Sequence, residues 1–263
     1  MKTDGFVEKA TRDAIAGNSS GSFDLSGELP LKRQPFMYSL TKQVVVDKKR
    51  FKEQHLVAAY SEDPESDAYK ILRTQVQQRA KIQGWNTIMV TSPRPRSGKT
   101  VSAVNLALSM AQEFHQTVML VDCDLAKQGI HTLLGYESNR GIADHLLENI
   151  PLSDLIVCPG ISKLTVISGG KTIGGSTELL GSAKMGQLVA EMKNRYQNRY
   201  IIFDVPSLLE GADAIAFLPY VDAVLMVVES GKTSMTDCTT AVQLVPQEKL
   251  LGCVLNRHAA ISR

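Results

Sequence analysis

Between residue 65 and the C-terminus, short apolar runs alternate with longer stretches of helical periodicity. The runs are Thr87-Ile-Met-Val-Thr91, Thr117-Val-Met-Leu-Val121, Leu164-Thr-Val-Ile167, Tyr200-Ile-Ile-Phe203, Ala223-Val-Leu-Met-Val-Val228 and Leu251-Gly-Cys-Val-Leu255. None shows the polar alternation of a strand with one wet face, so each reads as a strand covered on both sides. Helical patterns at 101–114, 183–195, 211–218 and 234–244, with another near 140–149, separate most of them. Ahead of the first strand, Ala68, Ile71, Leu72 and Gln75 fall at helical spacing. The order predicts an α/β fold, a doubly wound, mostly parallel sheet with helices on both faces. Such sheets bind ligands at the C-terminal ends of their strands.

Those ends are where the polar residues gather. The first strand runs into Ser92-Pro-Arg-Pro-Arg-Ser-Gly-Lys-Thr100 and then directly into a helix. A Gly-Lys-Thr between strand and helix is the ending of a phosphate-binding loop. Lys99 is expected at the β- and γ-phosphates and Thr100 with its hydroxyl on Mg²⁺, while the amides of Ser97, Gly98 and Val101 around the helix start receive oxygens. The second strand ends in Asp122-Cys-Asp124 and another in Asp204. Magnesium keeps several waters and takes one or two carboxylates plus phosphate oxygens, so Asp122, Asp124 and Asp204 supply enough acid. An Asp at a strand end is also a common helix cap, and that reading competes for each of the three taken singly.

The first 56 residues differ from the rest. Ser19, Ser20, Gly21, Ser22, Pro30 and Pro35 break any period, and this stretch carries 10 Lys+Arg against 7 Asp+Glu, compared with 19 against 20 in residues 57–263. The expected organisation is a mobile tail over 1–56 and one domain over 57–263. The cluster Lys48-Lys-Arg-Phe-Lys52 reads as a solvated segment, with contact to anionic headgroups as the alternative. The whole chain balances 29 Lys+Arg with 27 Asp+Glu, which argues against a nucleic-acid partner. Its longest apolar run is six residues, far below the ~20 that span a bilayer. The N-terminus shows no secretory apolar stretch, so a cytoplasmic location with reduced, buried cysteines is expected. His115, His131 and His145 lack a common spacing for a metal, and Met110, Met185 and Met192 read as core.

The loop Thr91–Thr100, the Asp-x-Asp after the second strand and the Ile201–Pro206 segment resemble the Walker A, A′ and B motifs of the bacterial tyrosine kinases. These are cytosolic P-loop proteins related to the deviant-Walker septum-site and partitioning ATPases. Further similar stretches are Leu133-Leu-Gly-Tyr136, Ser176-Thr-Glu-Leu-Leu180, Val221–Glu229 followed by Gly231-Lys-Thr-Ser234, and Leu251–Asn256. The resemblance covers about 57–258 and implies an ATP- and Mg²⁺-dependent tyrosine autokinase of exopolysaccharide synthesis. It implies that Asp122 activates the tyrosine hydroxyl or helps bind metal, that Asp124 and Asp204 hold metal through water, and that Asn256 contacts the adenine. It also implies docking on an inner-membrane chain-length regulator, a peripheral location there, and possible homo-oligomers through the helix that begins near Asp67.

The chain departs from that family pattern in several places. Arg96 stands where relatives have Gly, so it must keep an ordinary backbone angle or carry strain of about 1–3 kcal/mol. Pro93 offers no amide. Arg94 and Arg96 bring compensating positive charge suited to a phosphate grip. Ala126 stands where an Arg is usual, with Lys127 next door. The sequence stops at Ala259–Arg263 without the family's tyrosine tail, which leaves Tyr38 as the expected candidate acceptor within the chain. Two other functions therefore stay open: a non-kinase ATPase switch, and an ATP-binding subunit with little turnover.

Overall fold

A computed structural model describes residues 41–60, 62–195 and 198–258. Among these, eight strands form one sheet: β1 (Lys42–Gln43), β2 (Thr87–Thr91), β3 (Thr117–Asp122), β4 (Val157–Cys158), β5 (Leu164–Ile167), β6 (Arg199–Asp204), β7 (Ala223–Glu229) and β8 (Leu250–Asn256). Their spatial order is β1-β4-β5-β3-β6-β2-β7-β8, parallel throughout except where β4 meets β5. Every residue of β2 and β3 is buried, as continuous apolar runs require.

Successive side chains on a strand point to opposite faces, and both faces are covered. Ile88, Val90, Leu120 and Ile202 pack with Val76 of α1 (Ser66–Gln83) and with Val104 and Leu108 of α2 (Lys99–Ala111). On the opposite face, Met89, Val121 and Phe203 meet the later helices. In chain order the later helices are α3 (Ile130–Leu134), which packs on the first face through Ile130 and Leu134, and then, on this opposite face, α4 (Ile142–Glu148), α5 (Leu152–Leu155), α6 (Thr177–Leu180), α7 (Ala183–Asn194), α8 (Asp213–Phe217) and α9 (Met235–Gln243). Leu188 of α7 and Phe217 of α8 lie in that second core, where the Phe203 and Phe217 rings meet edge to face at 5.1 Å. Met110, Met185 and Met192 are buried as expected. The doubly wound arrangement is therefore the one the alternation implies. The pieces that periodicity does not show are β1, β4, α3, α5 and α6, each between two and five residues long. Such pieces are shorter than one period of evidence.

Two expectations need correction. The folded body reaches back across the 56/57 boundary, because β1 pairs with β4 while Phe51 and Leu56 are 1% and 0% exposed beside α2. Single apolar residues among charges leave no period in the sequence, but here each fills a socket. Asn105 of α2 then ties the segment down, accepting from Ala58 N at 2.9 Å and donating to His55 O at 2.8 Å, and Gln112 donates to Ala58 O at 2.7 Å. Residues 1–40, Tyr38 included, lie outside the described residues, as do Tyr196 and 259–263. Second, the cysteines are all free thiols but not all buried: Cys123 and Cys158 are, whereas Cys253 is exposed because β8 is the sheet's edge.

Candidate nucleotide site

Strands β2, β3 and β6 are central neighbours, so their C-terminal ends bring the loop and the acidic residues together. The loop from Ser92 to Gly98 is held on both sides. Its first half hangs on the segment after β6: Leu208 N and Leu209 N donate to Ser92 O and Pro93 O, and Thr91 Oγ1 donates to Pro206 O at 2.6 Å. The tip is a turn through Pro95 and Arg96, with Ser97 Oγ returning to Arg94 O at 2.8 Å. Arg96 takes the strained alternative, with φ at 66°, a turn position that ordinarily favours Gly or Asn. Gly98 has φ 85°, and a Cβ there would stand 2.2 Å from Asn256 Nδ2. Any other residue there would be strained and would displace the Asn256 amide. Asn256, expected at the adenine, donates from this nitrogen to Ser97 O at 2.9 Å.

Beneath the loop, Lys99 opens α2 and is buried between two carboxylates, 2.7 Å from Asp124 Oδ2 and 3.6 Å from Asp204 Oδ1. Burial alone would lower its pKa, yet Asp204, Asp124 and Asp122 together hold the ammonium well above its ordinary value. Asp122 and Asp204 face each other in register at the ends of β3 and β6. Burial raises both carboxyls; mutual repulsion adds to this at Asp122, which is pushed up to about 7 against the pull of the Ile130 and Gly129 amides. Buried like charges cannot both ionise freely, so the pair retains a proton near neutrality.

The three carboxylates are not equivalent. Asp122 accepts from Asp124 N, Gly129 N and Ile130 N at 3.0–3.1 Å; it is not the N-cap of α3, which is Gly129, but its side chain serves the free amides at that helix start from the end of β3. Asp124 takes Lys99 on one oxygen and Lys127 N on the other. Asp204 is fully buried, with neither oxygen hydrogen-bonded to a described residue. No group of three or more acidic, His or Cys side chains is arranged to hold a metal among the described residues. Cys123, between two of the acids, has its thiol raised by burial and is inert core.

The loop opens onto a cleft of about 860 Å³ that also exposes residues to which the sequence assigns no role: Glu210 and Arg257, and Glu229, Lys232 and Thr233 of the family-like stretch around β7. Glu229 ends β7 and Arg257 follows β8, so the strand-end rule that located the aspartates reaches them too. On this rim Arg94 pairs with Asp237 at 2.8 Å, Lys127 with Glu210, and Lys232 and Arg257 both with Glu229 Oε1 at 2.8 Å. Lys232 and then Arg257 hold the Glu229 carboxyl below its ordinary range. The Arg96 side chain extends into solvent, with no ion pair or hydrogen bond to a described residue.

A family model for an AAA domain matches residues 86–250, from just before β2 to the first residue of β8. The tyrosine-protein kinase YwqD of Bacillus subtilis (strain 168) is 31% identical over 193 residues, spanning 73% of this chain and 80% of that protein. Among solved structures, the VpsO kinase domain is 30% identical, with a TM-score of 0.67 over 81% of this chain and all of that one. The chimerical protein CapA2B2 is 26% identical, with a TM-score of 0.72 over 84% and 95% of the two chains. The matched stretch includes the loop at the end of β2 and the ends of β3 and β6 that carry the acids. This chain belongs to the bacterial tyrosine-protein kinase family of P-loop ATPases.

Proposed function

We propose that the chain transfers the terminal phosphoryl group of ATP to tyrosine, in the service of exopolysaccharide synthesis and export. The observation that carries this is the buried Lys99 ammonium, poised under a loop whose amides surround the start of α2. Lys99 draws the β- and γ-phosphates, and the amides of Ser97, Gly98 and Val101 receive their oxygens. Arg94 and Arg96 add charge at the mouth. Phosphoryl transfer of this kind asks for positioning and charge neutralisation, with little covalent work from the protein. The residues present fit a magnesium ion: Asp204 holds two buried oxygens that lack a hydrogen-bond partner among the described residues, and Thr100 follows Lys99 in the first turn of α2. Thr100 and Asp204 would hold it, with Asp124 and Asp122 behind them, and it would neutralise charge on the phosphates. Asp122 or Asp124 would take the proton of the incoming hydroxyl.

Of the described tyrosines, Tyr60, Tyr136 and Tyr220 commit their hydroxyls to Lys48 O, Ser168 Oγ and the Gly181 and Ser182 carbonyls. The acceptor we infer is Tyr38 or a tyrosine of another chain. The same observation favours a second reading, an ATPase whose nucleotide state governs docking. In both readings the partner we infer is an inner-membrane chain-length regulator; no helix among the described residues is long and apolar enough to cross a membrane. Purified protein with Mg²⁺ and γ-labelled ATP separates the readings. Label on tyrosine is the expected result; free phosphate alone assigns the switch, and ATP binding with neither product assigns the silent subunit.

A further inference from the structure

The peptide bonds at the loop tip are gripped from outside. Arg257 Nη1 donates to Arg96 O at 3.2 Å, and Asn256 Nδ2 donates to Ser97 O at 2.9 Å, so two consecutive residues at the end of β8 hold two consecutive carbonyls. Arg257 is itself fixed, since the same Nη1 lies 2.8 Å from Glu229 Oε1 at the end of β7. In a planar trans peptide the carbonyl of one residue and the N–H of the next point in opposite directions. Drawing the Arg96 and Ser97 carbonyls toward β8 therefore turns the Ser97 and Gly98 N–H groups away from β8. Neither amide donates to an acceptor among the described residues. Gly98 completes the fit, because any Cβ would occupy the Asn256 amide.

We propose that Asn256 and Arg257, braced by Glu229, are positioning residues that aim the Ser97 and Gly98 amides at the nucleotide's phosphates. This rests on reading the loop as the phosphate cradle. Two hydrogen bonds and the brace hold Arg96 at a backbone angle an Arg disfavours. The loop's shape is thus supplied from the far edge of the sheet. An adenine contact by Asn256 makes a different prediction, because it concerns the base and not the phosphates.

Calorimetric titration of the full chain with ATP, GTP and adenosine tests this. Asn256→Ala carries no change of charge and is expected to weaken ATP and GTP together by about tenfold, with adenosine unchanged. Arg257→Lys keeps the charge but loses the fork, and is expected to weaken both nucleotides similarly; Glu229→Gln should do so by about threefold. In turnover the KM for ATP should rise with kcat held within about twofold. Loss for ATP alone would assign Asn256 to the base and overturn the proposal. So would wild-type affinity in all three variants. Should Asn256→Ala fail to melt cooperatively, Arg257→Lys and Glu229→Gln decide. A wild-type protein that binds no ATP removes the kinase reading and this one with it; binding that ignores the variants removes only this one.

Discussion

On the floor of the cleft, Lys99, Asp124 and Asp204 have side chains 0–11% exposed, while the rim cations Arg94, Lys127, Lys232 and Arg257 stand 54–73% exposed. The same chemical pairing has different consequences in the two places. Charges on the floor are desolvated, so they shift one another's protonation, and removing one leaves the others uncompensated. Charges on the rim are screened by water and contribute little to folding. What the floor has given up in stability it holds as a field for a ligand; what the rim holds is mainly shape.

Lys99→Met should have the largest effect. It removes the ammonium buried among three acids and should weaken ATP by about a hundredfold or more, read by titration. An ATP affinity equal to wild type would show that the floor does not bind phosphate. Asp204→Asn separates folding from function: labelled transfer should vanish, while the nucleotide-free protein keeps its stability in urea unfolding within about 1 kcal/mol, because relief of the repulsion between the facing Asp122 and Asp204 carboxyls offsets the lost pairing with Lys99. A destabilised Asp204→Asn protein would mean that the floor is a stabilising network.

The floor also predicts a pH dependence with a definite sign. Asp122 is raised from 3.8 to about 7, so the folded protein holds its proton more tightly than the unfolded chain does. That contribution to stability is complete below the unfolded value and is lost as pH rises from about 4 to about 7. Wild type should lose stability relative to Asp122→Asn across that window, followed by urea midpoints at successive pH values; a constant difference would refute the raised carboxyl. Gly98→Ala should be milder, forcing an L-residue to φ 85° against Asn256 and weakening ATP by about tenfold. Smallest of all, Arg94→Ala breaks an exposed pair with Asp237 and should leave the melting temperature where it is.

The floor was legible in the sequence and the rim was not, for a physical reason. Lys99, Thr100, Asp122, Asp124 and Asp204 belong to short local patterns, each abutting an apolar strand. The central strands were readable because burial on both faces leaves no room for polar residues. Glu229, Lys232 and Arg257 come together only because β7 and β8 are neighbours at one edge, a fact of topology that no local spacing encodes. Asn256 was found, but its bond to Ser97 was not, since a contact across 159 positions has no sequence period. The difference between Asp122 and Asp204 was likewise hidden: both end apolar strands, and the amides of Asp124, Gly129 and Ile130 tell them apart.

The lacing of residues 51–60 onto α2 bears on how this protein is made in the laboratory. A fragment begun at residue 57, the natural choice for anyone cutting at the composition change, would strip Phe51 and Leu56 from the flank of the very helix that starts with Lys99. Two emptied sockets of that size cost about 2–5 kcal/mol each. The shortened product would melt early and hold nucleotide poorly, and its weakness would be mistaken for a defect of the active site.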